Sequence, residues 1–184
     1  MACSVWVSFF AITTKIFRLN GFNSSRTKGR DSASCLAGIN KVKSFIDDRG
    51  FLSQILPEGD ESFDIKRLYS TGNFSKGTIR GFHKHSREIK AFFVTSGAAK
   101  FVAVDDRKDS STYKQINTFI LSQLNPSVLV VPTGIYTGWM SLEDKTVIIG
   151  ISSEIFDKNN PDDERLDPFS YGDVWGIKSR WKYY

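Results

Sequence analysis

The two histidines of the chain, His83 and His85, lie two residues apart in the segment Gly81-Phe82-His83-Lys84-His85. In a β-strand, residues two apart face the same side, so we expect both imidazoles to converge on one cavity. A neutral imidazole accepts a proton near pH 7. The pair is therefore the first place to look for a general base.

A metal site is the first alternative for this pair. The positions of His83, His85 and Glu88 after Gly77 resemble the first half of the metal-binding cupin motif. The second half of that motif requires a histidine after a Pro-x-Gly turn, and this chain has Thr137 at that place. Two imidazoles and a displaced carboxylate make a poor closed site for zinc or iron. We therefore predict that the site uses no metal and no cofactor.

Three cationic residues indicate an anionic ligand. Arg80 and Lys90 lie near the histidines in sequence, and Arg49 lies in a predicted turn. If the strands pair as in a jelly roll, Arg49, Arg80 and Lys90 line one mouth and bind a diphosphate through charge-assisted hydrogen bonds. The chain has no glycine-rich phosphate loop of the Walker or dinucleotide type, which argues against ATP and NAD. Basic and aromatic residues do not interleave on one periodic face, so a nucleic-acid surface is not predicted.

The elements that position these residues are predicted to be strands. Short segments rich in Val, Ile, Phe and Thr alternate with Gly, Pro, Asn and Asp, which is typical of an antiparallel sandwich or barrel. These segments cover residues 41–46, 64–69, 90–95, 100–104, 117–121, 128–131 and 146–152. We predict an all-β fold, a jelly roll, followed by an irregular tail over residues 159–184 with one short helix.

Length and charge divide the chain into an arm and a body. The 184 residues carry a net charge of +5, but residues 1–38 hold five basic residues and one acidic residue. We predict a poorly ordered N-terminal extension over residues 1–38 and one domain over residues 39–184. The arm is Arg- and Ser-rich and poor in acidic residues, which loosely resembles an organelle transit peptide, but a variable extension or a misassigned start codon is the preferred interpretation.

The absence of cysteines from the body, and of long apolar segments from the chain, excludes several classes of protein. Both cysteines, Cys3 and Cys35, lie in the arm, so the body has no thiol chemistry and nothing argues for an oxidising compartment. No stretch of 18 apolar residues is present, which argues against a membrane-spanning helix. We expect a cytoplasmic protein without a nucleic-acid or membrane partner.

The ordered motifs of the body resemble the cupin-fold dTDP-4-dehydrorhamnose 3,5-epimerases over about residues 41–177. The likeness rests on several short segments in the right order. They are Asp48-Arg49-Gly50-Phe51-Leu52, Lys76-Gly77-Thr78-Ile79-Arg80-Gly81-Phe82-His83, Val102-Ala103-Val104-Asp105-Asp106-Arg107, Ser110-Ser111-Thr112-Tyr113, Leu121-Ser122, Asn125, Val131-Pro132-Thr133-Gly134, and Leu166-Asp167-Pro168 followed by Trp175.

This resemblance implies a double-stranded β-helix, usually a homodimer, that acts without metal on a nucleotide-linked 4-keto-6-deoxy sugar. The C4 ketone acidifies the protons on C3 and C5, and a base removes one of them to leave an enolate. By the family's pattern His83 is that base, Asp167 orients it and Lys90 stabilises the enolate oxygen. Arg49 and Arg80 would bind the diphosphate.

The chain departs from the family at two places. Tyr136-Thr137-Gly138 stands where relatives have Ala-His-Gly, and Gly150 falls near the place of a tyrosine that returns a proton on the opposite face. Tyr136 is one candidate to replace that tyrosine. If nothing replaces it, full 3,5-epimerisation is in question.

Two alternatives follow from these departures. The paired histidines of residues 80–85, and residues 64–69 before them, resemble the related sugar 3,4-ketoisomerases, which do not need the missing tyrosine. We predict that His85 and Tyr136 also contact the substrate. The second alternative is a cupin that binds a sugar nucleotide without catalysis.

Overall fold

A computed structural model of the chain describes residues 37–56 and 64–176. They belong to one unit that extends over Asp31–Tyr184. The predicted extension, with Cys3 and Cys35, lies outside the described residues apart from its last two positions. The predicted boundary at residues 38 and 39 stays a prediction.

Twelve strands form from the described residues. In chain order they are β1 (Gly38–Lys41), β2 (Lys43–Asp47), β3 (Gly50–Gln54), β4 (Arg67–Asn73), β5 (Ile79–Lys84), β6 (Lys90–Ser96), β7 (Ala98–Asp105), β8 (Ile116–Ser122), β9 (Ser127–Val131), β10 (Ile135–Ser141), β11 (Thr146–Ser152) and β12 (Glu164–Arg165).

The strands build two five-stranded antiparallel sheets and a separate hairpin. The first sheet has the order β1-β9-β6-β11-β4, and the second has the order β12-β5-β10-β7-β8. The hairpin consists of β2 and β3. Apart from β7 and β8, no two neighbouring strands in either sheet are consecutive in the sequence, as expected for a jelly roll. The prediction of an all-β cupin-like fold is confirmed.

A buried apolar cluster with members from both sheets forms the interior of the sandwich. Phe92 and Leu129 of the first sheet belong to the same cluster as Phe101 and Trp139 of the second. The rings of Phe92 and Phe101 are 5.3 Å apart between centroids, and Phe101 stacks on Trp139. Burial of this aromatic surface is the main force that holds the sheets together.

A further cluster covers the outer face of the second sheet. Phe82 and Tyr136 pack there with Trp175 from the C-terminal segment. The ring of Phe82 meets that of Trp175 at 5.3 Å, and the Trp175 indole N–H donates to the carbonyl of Pro168 at 2.8 Å. The C-terminal segment is thus an irregular cover over the sheet, as predicted. The predicted short helix does not occur within residues 159–176.

Each strand-rich segment that the sequence indicated overlaps a strand. These segments omit β3, β10, β12 and nearly all of β1, and they omit β5, where only the spacing of the histidines suggested a strand. The most informative omissions are β5 and β10. Both carry glycine and polar residues where a strand pattern has alternating apolar residues, because one face of each lines a polar cavity. No helix among the described residues is long and apolar enough to cross a membrane.

Candidate active site

A cavity of about 860 Å³ lies at one end of the sandwich and is lined by residues of both sheets. The first sheet contributes Tyr69 and Lys90, and the second contributes Arg80, His83 and Thr137. Of the residues predicted for the site, His83, His85, Lys90 and Arg80 all line this cavity. Four of the seven residues predicted for the site therefore line one cavity.

A bulge at Gly81 brings Arg80 and His83 to the same face although they are three residues apart. Thr137 of β10 pairs with His83, whereas Trp139 pairs with Arg80, so β5 has one extra residue between them. Gly81 has a φ of 140°, and a Cβ there would lie 2.4 Å from the Cα of Gly138. Only glycine fits both the conformation and the close approach of β5 to β10.

His83 is held by a carboxylate in a geometry suited to a general base. Its Nδ1 lies 2.7 Å from Oδ1 of Asp163, and its side chain is 39% exposed. When Nδ1–H donates to a carboxylate, Nε2 carries the free lone pair. Burial raises the pKa of Asp163, but hydrogen bonds from His83 and Arg165 outweigh it and keep that pKa below its usual value. The carboxylate is therefore charged at neutral pH.

The carboxylate partner of His83 is Asp163, and the prediction of Asp167 is wrong. Strand β12 pairs Arg165 with His83, which places Asp163 at the cavity. Asp167 comes after this pairing ends, and its Oδ1 accepts the backbone N–H of Phe169 at 2.8 Å. The family-like Leu-Asp-Pro segment thus forms a turn, and its aspartate shapes that turn.

A buried carboxylate, Glu88, connects the other two predicted residues. It accepts from Lys90 Nζ at 2.7 Å, lies 3.2 Å from His85 Nδ1 and accepts from Arg67 at 2.8 Å. Burial lowers the pKa of both Lys90 and His85. Lys90 is therefore poorly solvated and held against Glu88, and the Nδ1 of His85 also contacts the carbonyl of Asp162.

The surroundings of Glu88 also bear on whether the site binds a metal ion. Within residues 37–56 and 64–176, no three His, Cys, Asp or Glu side chains are grouped as metal ligands. The basic partners of Glu88 already occupy its oxygens. The prediction of a site without metal or cofactor stays a prediction.

Arginines surround the cavity, but Arg49 is not among them. Arg67, Arg80, Arg87 and Arg165 line it, and the buried Nε of Arg67 has no hydrogen-bond partner in the described part of the chain. Arg49 lies in the turn between β2 and β3, where its exposed side chain pairs with Asp47. The prediction that Arg49 lines this mouth is therefore wrong for a single chain, because the hairpin stands apart from both sheets.

Tyr136 points away from the cavity, and the prediction that it binds substrate there is wrong. Successive residues of β10 alternate between faces, so Thr137 faces the cavity and Tyr136 faces the outer cluster. The Tyr136 hydroxyl donates to Glu164, and Lys84 Nζ lies 4.6 Å from the ring centroid. Thr137, at the place of the family's histidine, has a buried hydroxyl without a hydrogen-bond partner in the described residues.

Tyr69 is the tyrosine that reaches the cavity, and sequence reasoning missed it. It lies on β4, directly opposite Gly150 of β11. A Cβ built on Gly150 would lie 2.3 Å from Cζ and 2.6 Å from the hydroxyl oxygen of Tyr69. The phenol therefore occupies the space where a side chain at position 150 would stand. The alternation of Arg67, Tyr69 and Thr71 along β4 is the sequence pattern that could have identified Tyr69 as a cavity residue.

Asp162 fastens the rim of the cavity. Its carboxylate accepts the backbone N–H groups of Ser86, Arg87 and Glu88 at 2.8, 2.7 and 3.0 Å. Burial raises the pKa of Asp162, but these three bonds outweigh it and lower the pKa overall. The loop after β5 is thereby tied to the segment before β12.

Comparison with known proteins finds a matching family and several relatives. The family model described as dTDP-4-dehydrorhamnose 3,5-epimerase matches residues 37–168. The spore coat polysaccharide biosynthesis protein SpsL of Bacillus subtilis is 26% identical over 145 residues, which cover 77% of this chain and 96% of that protein.

Solved structures of the same kind superimpose on the fold. The dTDP-4-dehydrorhamnose 3,5-epimerase of Bacillus anthracis, with TDP and PPi bound, is 29% identical and has a TM-score of 0.66, covering 71% of this chain and 78% of that one. The dTDP-4-dehydrorhamnose 3,5-epimerase of Sulfolobus tokodaii is 28% identical with a TM-score of 0.68, covering 77% and 82%.

Proposed function

The chain belongs to the dTDP-4-dehydrorhamnose 3,5-epimerase family, and from that premise we propose that it epimerises a dTDP-4-keto-6-deoxyhexose with His83 as the base. It is a dTDP-sugar epimerase of deoxysugar or polysaccharide biosynthesis. The observation that carries the proposed role of His83 is its 2.7 Å contact with Asp163 inside the cavity. Such a pair orients the imidazole and stabilises the imidazolium that forms.

The chemistry begins at a carbon beside the C4 ketone. Nε2 of His83 takes the proton from that carbon, and the bonding electrons move towards the C4 oxygen to form an enolate. Lys90 is the cation proposed to stabilise that oxygen, because burial and the contact with Glu88 hold its ammonium at the cavity wall. A fixed donor of this kind is worth about 3–4 kcal/mol in oxyanion sites.

The nucleotide diphosphate is proposed to bind to the arginines of the cavity. Arg67, Arg80, Arg87 and Arg165 supply planar donors that match phosphate oxygens. The relative from Bacillus anthracis was solved with TDP and PPi bound, which supports a diphosphate in the cavity of this chain. His85, which is partly buried at the cavity wall, is proposed to contact the sugar.

A homodimer is proposed from the hairpin of β2 and β3. Its side chains Ile46 and Phe51 are 82% and 80% exposed, and Leu52 is 61% exposed. Exposed apolar surface of this kind marks an interaction site. In a homodimer the hairpin would carry Arg49 towards the cavity of the second copy, which retains a role for Arg49 in substrate binding. We further propose that the body, residues 39–184, acts in the cytoplasm behind a separate N-terminal extension.

Deuterium exchange tests the proposed function. The chain is incubated with dTDP-4-keto-6-deoxyglucose in D₂O, and label at each carbon is followed by NMR. We expect incorporation at C3 and C5. Incorporation at C3 alone would instead support a 3,4-ketoisomerase, which the presence of both histidines in one cavity favours as the second candidate. Saturable binding without any exchange would contradict both enzymes and leave a binding protein.

A further inference from the structure

Inversion at carbon needs two groups on opposite faces of the sugar. A base on one face removes the proton, and an acid on the other face must return one, or the original configuration is restored. His83 stands on β5 in the second sheet. An acid that completes the inversion is therefore expected on the first sheet, on the opposite wall of the cavity.

Four side chains with donor hydrogens face the cavity from β4 and β6 of the first sheet: Arg67, Tyr69, Thr71 and Lys90. A guanidinium does not release its proton in a protein, and an aliphatic hydroxyl is far too weak an acid. Lys90 donates to Glu88 at 2.7 Å and is assigned to the enolate oxygen. Tyr69 is the remaining donor on this wall.

The hydroxyl of Tyr69 is available for this task. Within residues 37–56 and 64–176 it makes no hydrogen bond. Arg67 lies 5.2 Å and Lys90 Nζ 5.4 Å from the ring centroid, so two cations fix the ring from within the cavity. By contrast, the hydroxyl of Tyr136 is bonded to Glu164 on the outer face of the other sheet.

The position of Tyr69 depends on its cross-strand partner. Gly150 lies on β11 directly opposite Tyr69, and any Cβ at position 150 would overlap the phenol ring. A glycine within a strand often marks a place where another group approaches closely, and here that group is the ring of Tyr69. Gly150 thus provides the space through which the phenol of β4 reaches over β11.

We propose that Tyr69 is the catalytic acid that faces His83, and that Gly150 admits its phenol from the neighbouring strand. This inference rests on the proposed function and adds the residue that makes it an inversion. A chain with a bare glycine at position 150 thereby still has an acid on that wall, supplied from β4.

The proton balance of the step is simple. His83 Nε2 takes a proton from one face of the carbon, and the Tyr69 O–H gives its proton to the other face as the enolate electrons return to that carbon. The histidine is left as imidazolium and the tyrosine as phenolate. Water accepts a proton from the first and supplies one to the second. Burial raises the pKa of Tyr69, which keeps the phenol protonated before the reaction at neutral pH.

The test compares inversion with exchange in the variant Tyr69→Phe. The full chain is incubated with dTDP-4-keto-6-deoxyglucose in D₂O; label is read by NMR, and configuration is read after borohydride reduction. We expect the ratio of inversion to label uptake to fall by about 10²-fold or more, the usual contribution of a general acid. Removal of the proton by His83 continues, so uptake with retention persists.

Tyr136→Phe is the matched control, because it removes a phenol hydroxyl from the outer face of the same sandwich. It is expected to leave the ratio at the wild-type value. A second pair of changes, Tyr69→Gly with Gly150→Tyr, moves the phenol from β4 to the facing position on β11. We expect this double variant to recover part of the inversion that Tyr69→Phe loses.

The outcomes separate the two proposals. A wild-type chain that neither exchanges nor inverts overturns the proposed function and the role of Tyr69 with it. A wild-type chain that inverts, with Tyr69→Phe showing the same ratio at an unchanged melting temperature, overturns the role of Tyr69 alone. A wild-type chain that exchanges but never inverts also overturns that role, because no acid then acts opposite His83.

Discussion

His83 and Lys84 are neighbours in β5, yet they point to opposite faces of the second sheet, and so do their acidic partners, Asp163 and Glu164. On the cavity face, His83 contacts Asp163 at 2.7 Å. On the outer face, Lys84 Nζ contacts Glu164 at 2.9 Å and Asp106 at 2.8 Å, and lies over the ring of Tyr136. Two contacts between a basic side chain and a carboxylate, one residue apart, thus have different surroundings.

The difference lies in what each pair leaves unbonded. The donors of Lys84 are directed at two carboxylates and an aromatic ring, so this cation has little left to offer a ligand. His83 uses Nδ1 alone within the described residues, and its Nε2 stays free to accept a proton. A cation whose donors are all used adds stability, whereas an imidazole nitrogen with a free lone pair can accept a proton.

The largest expected effect comes from the variant His83→Asn. Loss of the base is expected to lower deuterium uptake into the 4-keto sugar by about 10²–10⁴-fold. Lys84→Met, which changes the adjacent residue on the other face, is expected to exchange at close to the wild-type rate. Near-normal exchange in His83→Asn, measured by NMR, would contradict the assignment of the base.

A smaller effect is expected from Asp163→Asn. An amide cannot hold the imidazolium as a carboxylate does, so kcat is expected to fall about 10- to 100-fold, by analogy with carboxylates that orient metal-bound imidazoles. Binding of the nucleotide is expected to change little. Asp167→Asn supplies the comparison: it alters a turn next to Phe169 and is expected to leave kcat nearly unchanged. Equal losses in the two variants would show that Asp163 has no special place beside His83.

The smallest expected effect is the change in stability caused by Lys84→Met. Removal of this cation is expected to lower the free energy of unfolding by about 1 kcal/mol near neutral pH, the upper end for exposed pairs. The measurement is urea denaturation followed by fluorescence.

The pH dependence of this effect follows from the groups around Lys84. Hydrogen bonds to Tyr136 and Lys84 lower the pKa of Glu164, and for Asp106 the bonds to Lys114 and Lys84 outweigh burial and lower its pKa too. Carboxylates with a lowered pKa stabilise the folded state above their unfolded pKa of about 4, and this contribution is lost as pH falls through the folded value. The difference between wild type and Lys84→Met should therefore be constant from about pH 5 to 9 and shrink below about pH 4. A difference that grows in acid would contradict the ion-pair explanation.

The sequence was sufficient for the fold and for the position of His83 at the cavity, and the reasons are local. Turn residues between short β-branched segments indicate an antiparallel sandwich whatever the exact register. The spacing of His83 and His85 predicts a common face, and both line the cavity. Arg80 reaches the same cavity because of a bulge in β5. Strict alternation along the strand would place Arg80 on the opposite face.

The partners of these residues could not be predicted because they depend on pairing between distant segments. Asp163 rather than Asp167 meets His83 because of the register of β12 against β5, which involves two residue pairs. Tyr69 faces the cavity over Gly150 because β4 pairs with β11 across about 80 residues of sequence. Tyr136 was assigned to the site from its place after a turn, whereas the alternation along β10 turns it outward.

The carboxylate of Asp162 has a kinetic consequence for the entrance to the cavity. It holds three consecutive backbone N–H groups, those of Ser86, Arg87 and Glu88. Because all three bonds converge on one carboxylate, the loop separates from the segment before β12 only when all three are broken. A sugar nucleotide would then enter through a preformed mouth, and association would be governed by diffusion and charge rather than by the opening of this loop.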